Sequence, residues 1–246
     1  MVLIVLSDIH ANLEALEAVL EDAGRLAPPD SPVICLGDLV GYGADPDAVV
    51  SLVRARQALA VRGNHEMGVA DPKTRRRFNP LAWDAVRWAG ARLSPDNLRW
   101  VASLPIHLSL EGCRFVHGLP PDEVDTYLFQ ASSAHVGEVM AQLPETVCFI
   151  GHTHQLRLVS LAPDGLRNQR IAQGSYPLDP SWRHLVNAGS VGQPRDGDPR
   201  AKYCLFDTEA STLTVHSVEY DAARAARKIL DSGQPRAFAL FLADPD

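Results

Sequence analysis

Five short clusters of proton- and metal-binding side chains punctuate the chain: Asp8-Ile9-His10, Gly37-Asp38, Gly63-Asn64-His65-Glu66, His117-Gly118 and Gly151-His152-Thr153-His154. Together they offer carboxylates, an amide oxygen and several imidazoles. A mixed oxygen and nitrogen donor set suits divalent Mn, Fe, Zn, Co or Ni better than the soft ions that thiolates select. In an extended segment residues i and i+2 point the same way, so Asp8 with His10, and His152 with His154, are expected to converge on one cleft. The neighbouring glycines let backbone approach an ion with no Cβ in the way. Each cluster alone has a plainer reading, as a turn, a helix cap or a hydrogen-bonded structural histidine. Five of them on successive strand ends argue for one shared cation site. His107, His135, His184 and His216 fall outside the clusters and are read as surface or packing residues, with His184 near enough to Asn187 in sequence to support the site.

The elements that must position these clusters follow from hydrophobic patterning. Val2–Leu6 is an uninterrupted apolar run ended by Ser7-Asp8, the pattern of a buried strand. A helical period follows from Asn12, with Leu13, Leu16, Val19 and Leu20 on one face, and Gly24 is expected to close it. Pro32–Leu36 reads as a strand, Asp47–Arg56 as a helix and Ala58–Val61 as a short strand, so the opening is β-α-β-α-β. In such sheets the C-terminal strand ends are where sites are built. The segment 71–104 differs: it carries Arg75-Arg76-Arg77 and then Trp83, Trp88 and Trp100, and reads as two helices forming a lid or side insertion. The tryptophans are expected to pack against the body and the arginine run to be a solvated face. Strands return at Ile106–Leu110 and Cys113–Val116 about a Glu111-Gly112 turn, then a helix at about Ala134–Leu143 and strand Val147–Ile150. The remainder is mainly β, over Arg157–Leu161, Leu166–Ile171, Arg183–Val186, Lys202–Asp207 and Thr212–Glu219, before a last helix at Ala222–Leu230 and a Pro-containing tail.

Composition bounds the function class. The 246 residues are 46% hydrophobic and 22% charged, enough for one sizeable core, and a single domain with the 71–104 insertion is expected. A net charge of −7 argues against a partner such as long nucleic acid. The four cysteines form no Cys-x-x-Cys pair and are read as reduced, buried thiols. No apolar stretch approaches a membrane span, and the cytoplasm is the expected compartment.

The ordered set D-x-H, G-D, G-N-H-E, H-G and G-H-T-H resembles the calcineurin-like metallophosphoesterase superfamily over residues 8 to 154. The stretch from Asn187 to Arg195 is similar to the following segment of its small bacterial and archaeal phosphodiesterase-like branch. The resemblance implies an α/β fold, a four-layer α-β-β-α sandwich of two mixed sheets, with two divalent metal ions at its upper edge. It implies that Asp8, His10 and His154 take one metal, that Asn64, His117 and His152 take the other, and that Asp38 bridges them. It further implies a hydroxide between the ions as nucleophile toward a small phosphate-ester substrate, and His65 facing the leaving oxygen as proton donor or charge stabiliser. Arg195 is the candidate cation for clamping the phosphate.

The chain departs from the protein-phosphatase pattern at Gly37-Asp38-Leu39-Val40-Gly41-Tyr42-Gly43, which lacks the aspartate that orients the catalytic histidine and an arginine that holds phosphate. His65 then lacks its usual carboxylate partner unless Glu66 or another residue supplies one. Phosphodiesters and small phosphomonoesters both stay open as substrates. A metal-retaining scaffold or regulatory protein without turnover, and a nuclease of the same superfamily, are the competing readings.

Overall fold

The computed structural model describes residues 1–242. The first half of the chain contributes β1 (Val2–Leu6), α1 (Leu13–Leu26), β2 (Val33–Cys35), α2 (Pro46–Ala55), β3 (Leu59–Ala60) and α3 (Asn64–Ala70). A 3-10 turn at Pro72–Arg77 leads into α4 (Pro80–Gly90) and α5 (Pro95–Ser103). Then come β4 (His107–Leu110), β5 (Cys113–Val116), a 3-10 turn at Leu128–Gln130, α6 (Ser133–Gln142) and β6 (Val147–Ile150). The rest is β7 (Leu156–Ala162), β8 (Gly165–Arg170), β9 (Gly174–Pro177), β10 (Arg183–Ala188), β11 (Ala201–Asp207) and β12 (Thr212–Val218), closed by α7 (Ala222–Asp231) and α8 (Arg236–Leu240).

The strands make two six-stranded mixed sheets, ordered β3-β2-β1-β11-β12-β9 and β4-β5-β6-β10-β7-β8. Within the first, β1, β2 and β3 run parallel, with Leu6 opposite Cys35 and Cys35 opposite Ala60. Within the second, β5, β6 and β10 run parallel, with Phe115 opposite Phe149 and Phe149 opposite Val186. The sheets face each other across an apolar layer that includes Val5, Ile34, Phe115, Phe149, Val186 and Phe206. Phe149 of β6 meets Phe206 of β11 across this layer at 5.6 Å between ring centroids, and stacks on Phe115 at 5.4 Å. Helices α1 and α2 cover the outer face of the first sheet through Leu16, Val19, Val49 and Val53. Helix α6 covers the second through Val136 and Met140. This is the four-layer α-β-β-α order that the resemblance implied. All four cysteines are free and buried, and no helix among the described residues is long and apolar enough to cross a membrane.

Several local expectations change. Helix α1 runs past Gly24 to Leu26, because Gly24 does not adopt a left-handed cap; the chain leaves through extended Ala27 toward Pro28. The Gly63 cluster starts a helix, α3, in which the Glu66 carboxylate reaches back to the Gly63 N–H. Strand β9 is short and polar, held by β12 through Leu213 opposite Tyr176. The described part of the tail forms α8, whose Phe238 ring packs 5.0 Å from Tyr42. In the 71–104 segment, Trp83 is buried on α4 while Trp88 and Trp100, partly buried, pack against the core cluster to which α1 and α2 contribute.

Phe149 is fully buried where the sheets interdigitate. Phe149→Ala is expected to cost about 3–5 kcal/mol in urea unfolding. A loss below about 1 kcal/mol would mean the two sheets are not packed through this ring.

Candidate metal centre

Six parallel strands end on one edge, so the residues after them share one cleft. β1 delivers Asp8 and His10, β2 Asp38, β3 Asn64 and His65, β5 His117, β6 His152 and His154, and β10 the Asn187–Arg195 stretch. Three sets of donor atoms lie close enough to hold an ion: Asp8 with His10 and His154; Asp38 with His117 and His152; and His10 with Asp38 and His65. All of these residues are buried. The Asn64 amide oxygen joins the second set, 3.2 Å from His117 Nε2.

Convergence is achieved differently from the strand alternation expected. Asp8, His10, Asp38, His152 and His154 all have φ between 48° and 66°, the left-handed region that non-glycine residues avoid. The side chains are aimed by strained turns immediately beyond the strands, at a cost of order 1 kcal/mol or more each. Glycines make the space. A Cβ on Gly63 would lie 2.2 Å from Asp38 Oδ1, and one on Gly151 would lie 1.9 Å from Ser7 Oγ and 2.6 Å from Asp8 Oδ2.

The imidazole hydrogen bonds fix which nitrogen faces the cleft. His10 Nδ1 lies 3.1 Å from the Val40 carbonyl, His154 Nδ1 2.6 Å from that of Gln193 and His117 Nδ1 2.8 Å from that of Leu36. Each Nδ1–H must donate to its carbonyl, which leaves Nε2 to point inward. His10 Nε2 and His154 Nε2 then face each other at 3.1 Å, and His117 Nε2 faces His152 Nδ1 at 3.2 Å. Lone pairs at that separation are held together only by a cation between them, a proton or a metal ion. Asp8 Oδ1 and His152 Nε2 are buried with no hydrogen-bond partner among the described residues. Asp8 Oδ2, in contrast, accepts from Ser7 Oγ at 2.6 Å and from the His152 N–H at 3.0 Å.

Asp38 occupies the middle. Its Oδ2 is 3.4 Å from His117 Nε2, 3.7 Å from His10 Nε2 and 3.9 Å from His65 Nε2, while Oδ1 accepts the His65 backbone N–H at 2.9 Å. Burial alone would raise its pKa, but His117 and His65 hold it well below the usual carboxylate range. Burial, with His117 beside it, presses His152 down to about 3. Burial would lower His117 too, yet the Asp38 carboxylate lifts it to about 9, so a proton stands at this nitrogen in the metal-free chain.

The supports come from Glu66 of the Gly63 cluster, from the Asn187–Arg195 stretch and from Tyr127, which the sequence did not single out. The Glu66 carboxylate accepts the backbone N–H groups of Asp38, Leu39, Val40 and Gly63 at 2.7–3.2 Å, fixing two candidate-ligand loops at once. It therefore does not serve as a partner for His65, whose Nδ1 is buried and unbonded. Asn187 ties down the β6 loop by donating to the Gly151 carbonyl and Thr153 Oγ1, and Ser190 Oγ donates to the Asp8 carbonyl. Tyr127 stacks on His152 at 3.8 Å. His184 sits at the other end of β10, bonded to Ser160 and the Asp179 carbonyl, and does not support the site.

Above the donors lies a cavity of about 80 Å³, lined by Asn64, His65, Arg77, Asp125, Tyr127 and Arg195 among others. Arg77 comes from the arginine run and is ion-paired to Asp125 at 2.8 Å, so that run is not wholly a solvated face. Arg195 has no carboxylate partner among the described residues; its Nη2 donates to Gln193 Oε1 at 2.6 Å.

The family model for the calcineurin-like phosphoesterase superfamily domain matches residues 1–211. The chain belongs to this superfamily. It is 36% identical over 236 residues to an uncharacterized protein of Methanocaldococcus jannaschii, covering 94% of this chain and 93% of that one. A solved metallophosphoesterase from Sphaerobacter thermophilus is 34% identical, with TM-score 0.84 over 98% of both chains. A hypothetical protein from Pyrococcus horikoshii shares the fold, with TM-score 0.79 at 19% identity over 100% of this chain and 98% of that one. Calcineurin-like phosphoesterases are metal-dependent, and the clustered donors of this chain fit that requirement.

Because His117 carries a proton up to about pH 9 before metal arrives, a cation must displace it. Apparent Mn affinity is therefore expected to rise with pH between 6 and 9, by up to about tenfold per unit, with proton release at pH 7 measurable by calorimetry in buffers of different ionisation enthalpy. An affinity independent of pH over this range, without proton release, would contradict the His117 assignment.

Proposed function

We propose that the protein hydrolyses small phosphate esters using two divalent ions. The observation that carries this reading is the inward-facing donor set: two pairs of imidazole nitrogens at 3.1–3.2 Å with Asp38 Oδ2 between the two groups. Asp8, His10 and His154 would hold one ion, Asn64, His117 and His152 the other, and Asp38 would serve both. Mn, Fe, Zn, Co and Ni all accept such donors. Bound there, the ions would neutralise phosphoryl oxygens and lower the pKa of coordinated water toward neutrality.

The chain's own residues supply the rest. Glu66 and Asn187 hold the strained turns, so the donors need not reorganise during the reaction. His65 lines the cavity. Burial keeps its pKa below the ordinary value despite the Asp38 charge, so near neutral pH it is an uncharged imidazole. It would act by donating an N–H hydrogen bond to the leaving oxygen as charge develops there. Arg195, which has no carboxylate partner among the described residues, would bind the phosphoryl oxygens. The small volume and the Arg77–Asp125 pair across the rim favour a small ester over long nucleic acid. Segment 71–104 would act as a lid within one domain, with Arg77 as its latch.

The test is hydrolysis of p-nitrophenyl phosphate and bis-p-nitrophenyl phosphate after loading with each of the five metals. Turnover of at least one is expected, and none with any metal would favour a non-catalytic scaffold. Asp38→Asn is expected to lose activity and most bound metal; two ions per chain retained in that variant would overturn the ligand set. His65→Ala is expected to keep its metal and slow monoester turnover by about 10²-fold or more, and activated diesters less. Unchanged rates on both would remove His65 from the mechanism.

A further inference from the structure

A second and larger cavity, about 300 Å³, adjoins the candidate metal centre. The two share Arg195, whose backbone N–H donates to the His154 carbonyl at 3.2 Å, and Gln155, next in sequence to His154, lines the larger one. Its walls carry four cations, Arg170, Arg195, Arg200 and Lys202, against two carboxylates, Asp196 and Asp198.

The carboxylates are already committed. Lys202, almost wholly buried, donates to Asp196 Oδ1 at 3.0 Å and to the Asp198 carbonyl. Arg200 forks onto the Asp198 carboxylate at 2.7–3.1 Å. These pairs cancel each other's charge and fix the 196–200 turn. Arg170, exposed near the end of β8, makes no ion pair or side-chain hydrogen bond among the described residues. Arg195 donates to the Gln193 amide oxygen, faces the Tyr42 hydroxyl, lies 5.9 Å from the Phe241 ring and has no carboxylate partner among the described residues. Two guanidinium groups with no carboxylate partner among the described residues thus face one cavity, and one of them also reaches the cleft above the donor cluster. A guanidinium offers paired N–H donors matched to a carboxylate or a phosphate. The volume falls at the lower end of what small-molecule sites occupy.

We propose that this cavity binds a second anionic group of the substrate. The favoured esters would then carry a carboxylate or a further phosphate on the leaving group, with Arg195 between the two ends and Arg170 at the far one. The proposal rests on the phosphoesterase reading above and adds to it the class of leaving group.

Non-hydrolysable phosphonates test it by calorimetry on the Mn-loaded protein. Propyl-, butyl- and pentylphosphonate are compared with carboxyl-terminated phosphonates and α,ω-bisphosphonates of matching chain length. At one length or more, the second anion is expected to tighten binding at least tenfold over the plain alkylphosphonate. The carboxylate and bisphosphonate arms tell which anion the cavity prefers. Arg170→Ala is expected to remove most of that gain while leaving alkylphosphonate binding within twofold, and Arg170→Glu to remove all of it. A gain below twofold at every length, or a gain that survives in both variants, would overturn the proposal. If no alkylphosphonate binds at all, the phosphoesterase reading fails first and the proposal falls with it.

Discussion

The structure is organised around a demand for positive charge at one buried point. Two carboxylates, Asp8 and Asp38, are taken out of water together with five imidazoles, and the hydrogen-bond directions of three histidines leave their free nitrogens aimed inward. Burying a carboxylate costs several kcal/mol unless opposite charge compensates it. Protons satisfy part of that demand, as the elevated pKa of His117 shows. They do not satisfy Asp8 Oδ1, which stays buried and unbonded among nitrogens that are 3.3 and 3.8 Å away. Metal ions answer the whole demand at once.

That demand explains how the surrounding fold is spent. Five of the clustered residues stand in left-handed backbone, which the local sequence does not favour. What holds them there is tertiary. One carboxylate, Glu66, gathers backbone donors from the β2 and β3 loops, and the Asn187–Gln193 stretch, which begins in the last residues of β10, anchors the β1 and β6 loops. The close approach of the loops tolerates no side chain at Gly63 or Gly151. The two sheets must meet at a set distance for these bonds to form, and the Phe149–Phe206 layer sets it.

How much of this was legible beforehand depended on whether a feature is local. Strands β1, β2 and β6 are unbroken apolar runs and β5 is interrupted only by Arg114; an Asp or His follows each within three residues, and their ends lie within about a residue of the expected places. The site residues were legible because their types are rare together, even though the geometry invoked for them, strand alternation, is not the one that aims them. Helix α3 was missed although Glu66 stands three residues after Gly63, the spacing of a capping box, because the glycine lacks the side chain that usually announces one. Strand β9 was missed because four residues containing Gly and Pro carry no strand signal until β12 pairs with them. Arg77, Asp125 and Tyr127 reach the cleft by tertiary packing alone, and no periodicity in their segments points there.

The most direct measurement is anomalous diffraction from crystals grown with manganese. The account predicts two peaks per chain, one between His10 Nε2 and His154 Nε2, one between His117 Nε2 and His152 Nδ1, with Asp38 Oδ2 touching both. Crystals that show those nitrogens facing each other with no anomalous density between them, at saturating metal and pH above 8, would contradict it.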